Sequence, residues 1–73
     1  MAANLTSSTG LHRILRLRYR ACWDAYQAIA YENSELWASG QKPSDEQLWA
    51  EKEAAATVQK AREDLLAALR AGA

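Results

Sequence analysis

From Leu11 onward the chain carries a stripe at alternating steps of four and three: Leu15, Tyr19, Cys22, Tyr26, Ile29, Asn33 and Leu36. A mean step of 3.5 keeps such positions on one side of an α-helix, facing a partner helix. Trp23, Ala30 and Trp37 sit on the shoulder of this stripe, and neither Pro nor Gly interrupts residues 11–39. The break comes at Ser39-Gly40-Gln41-Lys42-Pro43, with Gly where a helix C-cap needs positive φ and Pro just beyond. Ser44-Asp45-Glu46-Gln47 then restarts a helix. Ser44 stands at the N-cap, Gln47 at the reciprocal capping-box position, and two acids face the positive end of the helix dipole. The pattern predicts a helix over 11–39, a loop over 40–44 and a helix over 45–71. Residues 1–10 are expected to form a flexible tail ending in a cap at Ser8 or Thr9.

Two long helices joined by about five residues pack antiparallel, since so short a loop reaches no farther. The fold class is therefore all-α, a two-helix antiparallel hairpin. On the second helix the facing stripe is read as Leu48, Ala55, Val58, Arg62, Leu65 and Leu69, with Glu51 or Lys52 in the remaining turn. Folding about the loop pairs positions whose numbers sum to about 84: Leu36 with Leu48, Ile29 with Ala55, Tyr26 with Val58, Cys22 with Arg62, Tyr19 with Leu65, Leu15 with Leu69. Asn33 and Arg62 are then polar residues in an apolar seam, a device that fixes register at some loss of stability. On this reading Arg62→Leu is neutral or stabilising and loosens the oligomeric state.

A second stripe on helix 2, Ala50, Ala54, Thr57, Ala61 and Ala68, is smooth enough to admit another helix closely. Together with Trp23 and Trp37 it is the expected oligomer interface, and the hairpin is expected to dimerise into a four-helix bundle. Ile14, Leu17, Tyr31 and Trp49 also lie off the seam. Composition sharpens this. Hydrophobic residues make up 49% of the 73, but sixteen of them are alanine, which forms helix well and buries little. A lone chain this short has a thin core.

The chain is formally neutral, nine basic against nine acidic residues, so no global charge draws it to a polyanion. Locally, residues 11–20 hold four arginines and no acid, with Arg13, Arg16 and Arg20 on one helix face. Such a stripe grips phosphate, which makes a small dimeric nucleic-acid-binding regulator the alternative to a protein-interaction module. One His (His12) and one Cys (Cys22) are too few for a zinc site or a disulfide framework. His12 is expected to be solvated and Cys22 to be a small buried hydrophobe. No catalytic residue, metal site or cofactor is expected, and the reading is non-enzymatic. The paired acids Glu32/Glu35 and Glu51/Glu53 lack the Glu-x-x-His repeat of di-metal bundles. Without a secretory leader or an apolar span of about 20 residues, a cytoplasmic protein with no membrane partner is expected.

Overall fold

The computed structural model describes the chain from Ala2 to Gly72, with side chains from Gly10 onward. It contains two helices, α1 (Ala2–Ala38) and α2 (Asp45–Gly72), packed against each other as a hairpin. The rod measures 58 × 16 × 15 Å, and its radius of gyration of 16.7 Å exceeds the roughly 11 Å of a compact chain of this length. α2 starts at Asp45 and runs to Gly72, one residue past the expected 45–71. α1 begins earlier: its backbone is helical from Ala2, through the stretch expected as a tail. Nothing there forbids a helix, since the segment has no Pro and Gly10 costs only about 1 kcal/mol. Met1 and the side chains of residues 2–9, including the expected caps Ser8 and Thr9, lie outside the described residues.

The turn follows the local chemistry of its residues. Gly40 has φ +78°. The Gln41 N–H donates to the Leu36 carbonyl at 2.8 Å and the Gly40 N–H to that of Trp37 at 3.0 Å, the paired bonds of a Schellman cap. Three residues on, the Ser44 N–H donates to Gln47 Oε1 at 2.8 Å while the Gln47 N–H donates to Ser44 Oγ at 3.1 Å. The capping box is thus closed in both directions. Pro43, buried between the two caps, cannot extend either helix. A Cβ at Gly40 would touch nothing, so Gly40→Ala meets conformational strain alone. We expect it to lower stability by about 1 kcal/mol, read as a shift of the urea midpoint at unchanged slope.

Between the helices runs one seam. α1 contributes the expected stripe, and every member from Leu15 to Leu36 is partly or fully buried. α2 contributes a different face from the one read off its sequence. Val58 (8% exposed) and Leu65 are shared by both readings, but Ala54, Ala61 and Ala68 turn inward while Ala55, Arg62 and Leu69 are exposed. The axial register near 84 holds: Asn33 reaches Glu51, and Tyr26 and Val58 wall one groove. What differs is that 54, 61 and 68 replace 55, 62 and 69 beside Val58 and Leu65, which turns the buried face of α2 by about 50°, half the step between neighbouring residues. Two physical terms select it. Tyr19, Tyr26 and Ile29 need small residues opposite for the helices to close. Arg62 in the seam would be a desolvated guanidinium with no carboxylate across from it. Ala61, at 1% exposure, is the more deeply buried of the two apolar core residues, Val58 being 8% exposed.

Asn33 is the one polar side chain at full depth among the described residues, 2% exposed. Its amide donates to the Gln47 carbonyl at 3.1 Å and to Glu51 Oε1 at 2.8 Å. No buried side-chain nitrogen or oxygen of the described residues lacks a partner. At the open end His12, expected in solvent, is half-buried: its Nε2–H donates to the Ala68 carbonyl at 3.2 Å, and its ring lies against Gly72. A Cβ on Gly72 would stand 2.9 Å from the imidazole, so a side chain there requires the His12 ring to shift.

Candidate interaction surface

The seam leaves the hairpin with two unlike flanks. On one, Arg18 donates to Asp64 at 3.1 Å and Lys60 to the same carboxylate at 2.8 Å. Thr57 and Ala50 lie one and two heptads before Asp64, so this flank is small-sided and polar. Lys60's hydrogen bond, then the charges of Lys60 and Arg18, hold the Asp64 carboxyl below the usual carboxylate range, against a partial desolvation that raises it. A lowered folded-state value means that the stabilisation is present above pH about 4 and is lost as pH falls through the Asp64 value. Asp64→Asn is accordingly expected to lower the urea midpoint at pH 7, by an amount that shrinks as pH falls through the Asp64 value. The shift is small, because all three side chains are solvated.

The opposite flank is aromatic and basic. Trp23 lines a groove with Tyr26, Ala55, Val58 and Gln59, which places it on the Ala55 side of α2. Steps of seven along each helix then bring Arg16, Trp23, Ala30 and Trp37 of α1 alongside Leu48, Ala55, Arg62 and Leu69 of α2. Trp23 and Tyr26 rings stack at 5.6 Å with a 38° tilt, yet Trp23 is still 42% exposed and Trp37 55%. Arg13 and Arg20 border the same flank, three residues from Arg16 and Trp23. Arg62 joins them from α2, an addition that the misread face of that helix conceals in the sequence. Among the described residues none of Arg13, Arg16, Arg20 and Arg62 makes an ion pair; the only two found both end on Asp64. Arg20 makes no ion pair with Asp24, one turn on in the same helix.

The expected interface residues therefore separate. Trp23 and Trp37 are together on the aromatic flank. Ala61 is enclosed in the hairpin's own seam, and Ala54 and Ala68 face that seam while staying partly exposed. Ala50 and Thr57 remain on the ionic flank. Tyr31, 65% exposed, shares a groove with Trp23, Tyr26 and Ala30 at the edge of the aromatic flank, whereas Trp49, 58% exposed, lies off both flanks with Lys52 Nζ 5.9 Å from its ring centre. Cys22 is half-buried and reduced in the seam. Among the described residues no three His, Cys, Asp or Glu side chains converge as metal ligands do, and no helix is long and apolar enough to cross a membrane. Compared with protein-family models, with curated proteins and with solved structures, the chain finds no match.

Proposed function

We propose that the protein is a non-enzymatic helical interaction module that pairs with a second copy of itself through the Trp23–Trp37 flank, two hairpins forming a four-helix bundle. The observation that carries this is surface in excess. The chain exposes 5691 Å², where a compact monomer of 8.1 kDa exposes about 4,500. The surplus is more than the roughly 800 Å² that one partner gives to a standard interface. Among the described residues it includes eight large apolar side chains between 37% and 65% exposed, more than solvation of a monomer accounts for. Tryptophan is the residue best suited to anchor such a contact.

Sedimentation equilibrium tests it: a mass of about twice 8.1 kDa is expected at micromolar concentration. Trp23→Ala with Trp37→Ala should return the monomer while keeping the helical circular dichroism, because both rings stand largely outside the seam. A monomeric parent overturns the proposal.

A second reading, binding of a nucleic-acid backbone, rests on the arginines that lack a carboxylate partner. Its test is salt-dependent retention on RNA or DNA, abolished when Arg13, Arg16 and Arg20 become Gln. Absence of retention at 50 mM salt removes it.

A further inference from the structure

Folding at Gly40 sorts the charges of a neutral chain. The register near 84 puts residues 11–24 and 60–72 at the open end of the rod, and residues 25–59 at the loop end. The open end holds seven basic residues (Arg13, Arg16, Arg18, Arg20, Lys60, Arg62, Arg70) against three acids (Asp24, Glu63, Asp64), a net +4. The loop end holds six acids (Glu32, Glu35, Asp45, Glu46, Glu51, Glu53) against Lys42 and Lys52, a net −4. The molecule is a charged dumb-bell. Its aromatic flank is graded in the same sense, with arginines toward the open end and Trp37 and Leu48 toward the loop.

We infer that two copies pair antiparallel along this flank, the open end of each lying over the loop end of the other. The inference rests on the self-association proposed above and adds its geometry. A twofold axis between two such faces has two settings. Along the rod it would leave both loops at one end, with +4 beside +4 and −4 beside −4. Across the rod it reverses one hairpin and sets each positive end beside a negative one. The second setting also brings α1 against the partner's α1, running oppositely. With the axis crossing between Tyr26 and Gln27, Trp23 meets the partner's Ala30 and Arg16 meets the partner's Trp37. A large ring then settles over a methyl, and a guanidinium lies over an indole face rather than beside another guanidinium. On α2 the same axis sets Leu48 beside the partner's Leu69. Arg16 thereby gains an aromatic neighbour in the second copy, and Arg13, Arg20 and Arg62 lie in the net-positive end that faces the partner's net-negative one.

Two measurements test the orientation. For the parent protein, raising NaCl from 50 to 500 mM is expected to weaken the dimer about tenfold in Kd, since screening removes attraction between unlike ends. A dimer that tightens with salt overturns the inference, because screening would then be relieving repulsion between like ends. Spin labels at Gln41→Cys, in a Cys22→Ala background, report the loop-to-loop distance directly. The antiparallel pair predicts a separation of about 40 Å, at 1.5 Å per residue to the axis and back. A stable dimer with a distance below about 25 Å places both loops at one end and overturns the orientation alone. A monomer at every salt concentration overturns both the orientation and the self-association beneath it.

Discussion

Ala61→Leu should cost the hairpin about 3 kcal/mol, the upper part of the range for overpacking a filled core. Ala61 is 1% exposed and lies between Val58 and Leu65 at the waist of the seam. Three added carbons have no void to enter, and neither helix can yield without lifting Val58 from Tyr26. In a small single-core protein whose total stability is a few kcal/mol, that loss leaves the variant largely unfolded at 25 °C. The neighbouring change provides the control. Arg62→Leu, one residue on and exposed, should alter monomer stability by less than about 0.5 kcal/mol. Urea titration of the two variants side by side reads the rotation of α2. Were Arg62→Leu the disruptive one and Ala61→Leu benign, the seam would run along the other face.

Asn33→Ala is expected to lose about 2–3 kcal/mol. The lost bonds include one to a carboxylate, and their removal leaves Glu51 half-buried with its amide partner gone. The methyl that replaces the amide also leaves a gap next to the capping box, where the helices are pinned closest to the turn. Because the effect belongs to a pair, a double-mutant cycle with Glu51→Ala should show a coupling of about 1.5 kcal/mol by chemical denaturation. Independent, additive losses would mean that the Asn33 amide acts on the Gln47 carbonyl alone.

How much of this was legible beforehand depends on how many independent signals bore on each residue. The turn was overdetermined: Gly40, Pro43, Ser44 and Gln47 each have one low-energy use in that order, and all four are used that way. The α1 seam was legible because its large residues recur in only one way at 3.5 spacing, and Asn33 stood out as a polar member within it. α2 is ambiguous in a way that α1 is not. Its alanines at 54, 55, 61 and 68 offer two faces that share Val58 and Leu65, and hydrophobic pattern alone does not separate them. The choice is made across the helix pair, by the bulk of Tyr19 and Tyr26 and by the desolvation of Arg62. A single-helix pattern contains neither. The same slip hid Arg62 from the basic flank, and assigned Ala54, Ala61 and Ala68 to an outer surface. The His12 contact is illegible for a related reason, since its partner is the backbone of Ala68, whose position no side-chain pattern announces. The aromatic flank itself was anticipated at Trp23 and Trp37, because a two-helix layer cannot cover both sides of its own helices.

The double cap at Gly40–Gln47 has a kinetic consequence. Cross-helix partners are separated by 14 residues at Asn33 and Gln47 but by 56 at His12 and Ala68. Closing the longer loop from an open chain costs about 1 kcal/mol more in entropy than closing the shorter one. Contacts should therefore form outward from the bend like a zip fastener, each completed layer shortening the span left to close. Unzipping runs the other way, so amide protons near residues 12 and 68 should exchange long before those near residues 33 and 51.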